Sequence, residues 1–142
     1  MLGGVQIPYE LGLLGHSDAD VVLHAICDAL LGAAALGDIG KHFPDSDPTY
    51  KDISSLMLLT EVNRKVREAG FVVENIDATI IAEEPQLAPY IPEMLAQVAS
   101  TLGLARSRVS IKATTPEGMG ALGRGEGIAV WAVALLTSQR SA

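Results

Sequence analysis

Residues Gly15 to Asp47 read GHSDADVVLHAICDALLGAAALGDIGKHFPDSD. His16, Asp18, Asp20, His24 and Asp28 crowd the start and first turns of a helix; Gly37, Asp38, Gly40, Asp45 and Asp47 follow its apolar body. Groups able to bind a metal or a phosphate rarely sit so densely on a segment that otherwise reads as core. Ser17 or Asp18 is placed to cap a helix from about Asp20 to Leu36, which Gly37 ends. Asp38 to Tyr50 then reads as a loop rich in Asp, Pro and Gly.

Outward from this block, Val5 to Pro8 reads as a short strand after a Gly3-Gly4 turn. A second helix is expected from about Ile53 to Ala69, capped by Asp52 or Ser54 and stopped at Gly70. FVVENIDATIIA, Phe71 to Ala82, has the β-branched content of a buried strand. A loop punctuated by prolines, Glu83 to Pro92, leads to a third helix from about Pro92 to Leu102, stopped at Gly103. Val109 to Thr114 and Gly127 to Thr137 read as strands. With no repeat, low-complexity tract or linker, residues 1–142 form a single domain. The expected fold class is α+β: two layers, a mixed β-sheet with helices packed on one face.

Composition narrows the function classes. The hydrophobic share is 49% with only 4% aromatics, so the apolar content is mostly Ala, Leu, Ile and Val. With a mean hydropathy of +0.30, that surplus is more easily hidden in a subunit interface than in one small core, which favours an oligomer. A net charge of −7 and a pI near 4.8 argue against a nucleic-acid partner. An anionic substrate entering this field needs a local Arg, Lys or metal. A single cysteine, Cys27, excludes an internal disulfide framework and fits a reducing compartment. No secretory signal or membrane-spanning run is visible, so a soluble, cytoplasmic protein without a membrane partner is expected.

Several groups could carry chemistry. Asp20, His24 and Asp28 recur at i, i+4 and i+8 on one helix face, beside Cys27. They suit a metal-ligating histidine oriented by flanking carboxylates, or equally a capped helix whose histidine makes an ordinary hydrogen bond. Cys27 reads as a small core residue. Asp45-Ser46-Asp47 could bind polyol hydroxyls, although on its own it reads as a turn. Lys112 to Glu117, KATTPE, lies where a strand gives way to a glycine-rich loop. There two threonine hydroxyls and backbone N–H groups can hold phosphate oxygens while Glu117 holds Mg²⁺ against them, or the segment is an ordinary strand exit. Gly118-x-Gly120-x-x-Gly123 matches a dinucleotide fingerprint only formally, because an apolar strand-like run follows it and no second βαβ unit exists. Gly37 to Lys41 lacks the spacing of a P-loop.

Taken in order, GGVQIPYE, HSDADVVLHAICDALLGAAALGDIGKHFPDSDP, NIDATIIAEEP, IKATTPEG and GRGEGIA resemble the 2-C-methyl-D-erythritol 2,4-cyclodiphosphate synthase family over nearly the whole chain. The resemblance implies a homotrimer with the sheets facing its interior and active sites between subunits. It implies conversion of 4-diphosphocytidyl-2-C-methyl-D-erythritol 2-phosphate, a nucleotide-linked small molecule, into the cyclic diphosphate and CMP. The substrate's own 2-phosphate attacks the β-phosphorus, which leaves positioning and charge neutralisation to the protein.

Carried over by position, His24 is implied as a zinc ligand, and His16 and Ser17 as contacts to the substrate phosphates. Asp38, Ile39 and Gly40, with Phe43, Pro44, Asp45, Ser46 and Asp47, match the methylerythritol side. Ala82, Glu83, Glu84, Pro85, Gln86, Leu87 and Ala88 match the cytidine pocket. Thr114, Thr115, Pro116 and Glu117 match the diphosphate group, with Glu117 on Mg²⁺ or Mn²⁺. His16 and Thr115 match transition-state stabilisers. Arg124 and Ala121 match the rim of the central cavity, where an isoprenoid diphosphate is a further expected occupant. The sequence departs from the family in three places. The family's opening strand bears Asp-x-His, two more zinc ligands, whereas this sequence begins at MLGG and is expected to be N-terminally truncated, with an incomplete zinc site. Gln86 replaces a common lysine and weakens the expected grip on the cytidine phosphates. Ala121 stands where an aromatic is frequent. The rival readings are a non-catalytic trimeric binder of phosphoesters or isoprenoid diphosphates, and an unrelated metal-dependent phosphohydrolase.

Overall fold

The computed structural model describes residues 1–8 and 20–139. Its five α-helical segments are α1 (Val21–Ala33), α2 (Ile39–His42), α3 (Ser55–Glu68), α4 (Ile91–Leu102) and α5 (Gly120–Gly123). The strands are β1 (Phe71–Ile81), β2 (Val109–Thr114) and β3 (Ala129–Ser138). They form one mixed sheet ordered β2-β1-β3, with β1 parallel to β2 and antiparallel to β3.

The sheet's alternation decides which face is covered. Val73, Ile76, Ala78 and Ile80 of β1 and Val109 and Ile111 of β2 point into the core, while Val130, Ala132, Ala134 and Leu136 of β3 pack against it. A register shift between Val73 and Asn75 makes Glu74 the extra residue, so apolar side chains stay inward on both sides of it. α1 lies against β3 and β1, α4 against β2, and α3 packs on both helices and on β1. Each helix supplies a stripe: Val22, Leu23, Ile26, Leu30 and Leu31 from α1, Leu58, Leu59, Val62 and Val66 from α3. The opposite sheet face carries Trp131, Val133 and Leu135, which are 63%, 68% and 60% exposed. The two-layer α+β reading therefore holds among the described residues.

Several boundaries differ from expectation. Ser17 and Asp18 lie outside the described residues, and the N-cap of α1 is Asp20 itself, whose side chain accepts from Leu23 N. α1 ends at Ala33, three residues short of Leu36. Ala35 takes the left-handed conformation at φ 58°, and Leu36 N–H returns to Leu31 O at 2.8 Å, closing a Schellman turn with alanine where glycine is usual. The loop after it contains the four-residue α2 and a 3-10 turn over Pro48–Tyr50, each with an aspartate cap, Asp38 and Asp47. Val5 to Pro8 is not a strand: Leu2 and Val5 form one bridge across Gly3 and Gly4. That turn is fixed by packing, since a Cβ on Gly3 (φ 58°) would stand 2.7 Å from Met94. Ser54 caps α3, α4 begins one residue early at Ile91, β1 stops at Ile81, and β3 starts at Ala129.

Candidate functional site

The carboxylate of Asp20 is fully buried at the start of α1 and accepts three backbone N–H groups: Gly3 at 2.8 Å, Gly4 at 2.7 Å and Leu23 at 3.0 Å. A buried charge is tolerated where donors and the positive helix end surround it. Asp20 is thus consumed in pinning the N-terminal turn to the helix and does not orient His24. Asp28 is likewise engaged elsewhere, accepting Ile39 N–H at 2.9 Å. The expected trio on one face is therefore three separate devices. His24, half-buried one turn into α1, has its Nε2 3.4 Å from Ser55 Oγ, at the first residue of α3. Ser55 carries no local signal, because the two residues are brought together only when α1 packs on α3.

Cys27 is buried beside them; burial, reinforced by the negative Asp28 and Asp20, pushes its thiol well up. That is a core residue, as its sequence context implies.

On the following segment, Asp38 Oδ1 accepts Lys41 N–H at 2.9 Å, capping α2. The Phe43 ring is buried, edge-on to Tyr50 with centroids 4.9 Å apart and with Lys65 Nζ 5.8 Å from its centre. Phe43 thus anchors the loop, which presents Pro44, Asp45 and Ser46 to solvent. Asp47 makes the Asx contact to Thr49 N–H at 2.9 Å, so the turn reading of this triplet is satisfied.

A second group forms where β1 and β2 end side by side. Parallel strands release their loops at the same sheet edge, the usual position of ligand crevices. Ala82 N–H donates to Thr114 O at 3.1 Å, extending the pairing. A cavity of 270 Å³ opens here, lined by Ala82, Glu83 and Pro85 to Ala88 on one side and Ala113, Thr114 and Thr115 on the other. Glu84 is exposed outside this lining, and Ala113 was not anticipated because an alanine carries no binding signal. Glu83 accepts Gly118 N–H at 3.5 Å, and Thr115 Oγ1 accepts Glu117 N–H at 3.3 Å. Glu117 is exposed and left-handed at φ 53°, a conformation costing a non-glycine residue about 1–2 kcal/mol. Strain of this kind gathers at ligand clamps.

Further along, the exposed Ala121 sits in α5 and Arg124 Nε pairs with Glu126 at 2.8 Å. His16 and Ser17 lie outside the described residues.

These two groups bear on which cations the chain can hold. Zinc sites need about three or four N, S or O ligands from the protein. Among the described residues no three His, Cys, Asp or Glu side chains converge; the neighbour that His24 meets is Ser55. Mg²⁺ is commonly held by one or two carboxylates plus substrate phosphates, a donor set that Glu117 beside Thr114 and Thr115 suits.

The profile of the YgbB family matches residues 1–137. The chain belongs to this family. A YgbB relative, the 2-C-methyl-D-erythritol 2,4-cyclodiphosphate synthase of Lachnospira eligens, is 62% identical over 138 residues, covering 97% of this chain and 75% of the relative. Among solved structures, the bifunctional IspDF from Campylobacter jejuni superposes with a TM-score of 0.90 at 45% identity. That match covers 97% of this chain but only 37% of the longer protein. A 2C-methyl-D-erythritol-2,4-cyclodiphosphate synthase solved in a form bound to CDP gives a TM-score of 0.86 at 34% identity, over 96% of this chain and 89% of that one. The mixed sheet with helices on one side is therefore the YgbB fold.

Proposed function

We propose that this chain is a cyclodiphosphate synthase. It converts 4-diphosphocytidyl-2-C-methyl-D-erythritol 2-phosphate into 2-C-methyl-D-erythritol 2,4-cyclodiphosphate and CMP, the reaction of a phosphorus–oxygen lyase in isoprenoid precursor synthesis. The observation that carries the reading is the cavity at the paired ends of β1 and β2, in a chain 62% identical to a named synthase. Ala82, Pro85 and Leu87 give its lining an apolar part suited to a flat base, and the exposed Thr114 and Thr115 in the same lining suit the diphosphate.

The chemistry asks little covalent work of the protein. An oxygen of the substrate's 2-phosphate attacks the β-phosphorus, the bond from that phosphorus to the CMP oxygen breaks, and CMP leaves with the electron pair. The side chains hold the two phosphates near in-line geometry and offset the charge on the equatorial oxygens. Thr115 and His16 take the latter role, with Ser17 at the phosphates; Glu117 holds a divalent cation, Mg²⁺ or Mn²⁺, which neutralises phosphate charge when bound. Asp38, Ile39 and Gly40, with Pro44 to Asp47, bind the polyol. No step is assigned to zinc.

The working form is a homotrimer whose exposed β3 row faces its interior, with each cavity completed by a neighbouring subunit. Arg124, at that interior, is the group to meet an isoprenoid diphosphate. Among the described residues no helix is long and apolar enough to cross a membrane. The proposed location is the cytoplasm. The synthase identity of such similar relatives disfavours the non-catalytic and phosphohydrolase readings. Incubation with the diphosphocytidyl substrate tests the proposal: CMP and the cyclic diphosphate are expected. Linear phosphates alone would indicate a hydrolase, and no product would indicate a binder.

A further inference from the structure

The carboxylate of Asp28 lies outside every role assigned above, yet it reaches across eleven residues of sequence to the backbone of Ile39. We infer that Asp28 is a positioning residue: it fixes the Asp38-Ile39-Gly40 backbone at a set offset from His24, and so sets where the polyol end of the substrate lies.

The four-residue α2 cannot hold itself. Fixing one helical turn costs more than its single hydrogen bond returns, and the first N–H groups of any helix lack an internal partner. α2 has only external means of satisfying them, and it uses two carboxylates. Asp38 takes the N–H of Lys41 from within the segment, at 2.9 Å. Asp28 takes the N–H of Ile39 from a different element, also at 2.9 Å. Only the second contact carries positional information, since Asp38 moves with the loop it caps.

Asp28 is well suited to transmit position. It sits in the middle of α1, a thirteen-residue helix whose inner face is fully buried, so its backbone is held by that packing while its exposed side chain is free to reach the loop. It lies one turn from His24 on the same helix, a rise of about 6 Å. His24 is held in turn against α3 through Ser55. At the other end of α2, His42 Nε2 lies 2.7 Å from Leu36 O and the Phe43 ring is buried. The loop is thus held at both ends: at its front edge, the residues assigned to the polyol, Ile39 packs against the core and its N–H is directed by Asp28. A charged acceptor on a backbone N–H is also among the stronger of single hydrogen bonds.

This inference rests on the cyclase reading, and the experiment separates the two failures. Asp28→Ala and Asp28→Asn are compared with the parent in steady-state turnover of the diphosphocytidyl substrate, in CMP binding and in amide hydrogen exchange at Ile39. Loss of the bond in Asp28→Ala is expected to raise KM about tenfold and to leave CMP affinity within twofold. Exchange at Ile39 should accelerate by a similar factor. Asp28→Asn keeps an oxygen acceptor of the same reach and should recover most of both losses. The split matters, because general loosening of the fold would lower CMP affinity and substrate affinity together.

Unchanged KM in Asp28→Ala overturns the inference, as does parallel loss of CMP affinity, or an asparagine variant no better than alanine. A parent chain that binds CMP but releases none from the substrate overturns the cyclase reading, and the positioning role falls with it. Ile39 exchange then reports separately whether the structural contact exists.

Discussion

Across the antiparallel β1–β3 ladder Val133 stands directly opposite Asp77, whose carboxylate accepts from Lys112 Nζ at 3.1 Å on the far side of the same face. The uncovered face of the sheet is therefore divided, apolar along β3 and polar along β2, where Lys112 meets Asp77 of β1. Trp131, Val133 and Leu135 follow one another at every second position, as side chains on one face of a strand must. Hiding each from water is worth about 1.5–3 kcal/mol. The parent protein is expected to sediment as a trimer at micromolar concentration, and V133K with L135K to shift it to monomer. A stable parent monomer would leave the β3 row without its proposed partner and each cavity incomplete.

Replacing Asp20 should damage the fold. Alanine there leaves three backbone N–H groups unpaired at the buried start of α1, for a loss of roughly 2–4 kcal/mol. Asparagine should rescue only partly, since its amide presents N–H donors to the N–H groups that the carboxylate had satisfied. Urea unfolding followed by circular dichroism measures both variants, read as a drop in midpoint at constant slope.

Glu117→Gln should do the reverse, sparing the fold and costing turnover. The amide keeps the shape but removes the charge that holds a divalent cation against the phosphates, and losing one such electrostatic element typically costs about 10²–10³ in rate. The side chain is exposed, so the thermal midpoint should stay within about 1 °C of the parent for a surface change of this kind. An unchanged rate at saturating substrate and Mg²⁺ would remove Glu117 from the reaction.

Cys27 gives the pH dependence. Its folded thiol titrates above the unfolded value, so the contribution of the neutral buried group is complete below that value. It is lost as pH rises past about 8.5, where the unfolded chain begins to ionise and the folded one does not. Denaturant midpoints should therefore decline above that pH, and the decline should vanish in Cys27→Ala after allowing for its lower baseline. A thiol reagent at pH 8 should label the native protein only at the rate of its unfolding.

Zinc should be held weakly by this chain. His24 is the one assigned ligand among the described residues, and Asp20 and Asp28 are occupied with backbone N–H groups. Metal analysis after dialysis is expected to find well under one zinc per chain. Stoichiometric zinc, lost in His24→Ala, would show that other residues complete the site.

The three strands of the sheet were legible because their signal is local, whereas Val5 to Pro8, too short to alternate, was misread as a fourth. β2 runs over the expected Val109 to Thr114, and β1 falls one residue short of expectation, for alternation and β-branching act within a few residues. Gly70 and Gly103 announced the ends of α3 and α4 in the same way, each left-handed just past the helix. The end of α1 was not legible. Ala35 adopts a left-handed conformation that alanine does not advertise, and what holds it is the return of Leu36 to Leu31. In the site, residue types were readable but their partners were not. Asp20 looked like an orienter of His24 on spacing alone; only the fold brings Gly3 and Gly4 to its carboxylate, and Ser55 to the imidazole. The cavity, too, exists only because β1 and β2 end together.

The strand order has a consequence for synthesis. β1 is the middle strand, and its antiparallel partner β3 is the last element of the described chain. During translation β1 and the three long helices emerge first, and β2 can then pair on one side. The other flank of β1 keeps its row of unsatisfied N–H and C=O groups until β3 has been made. At the usual 5–20 residues per second the wait from β2 to the end of β3 lasts seconds. An apolar strand with a bare flank invites pairing with another nascent chain, so the interval between the synthesis of β2 and that of β3 is the most aggregation-prone of the sheet's assembly.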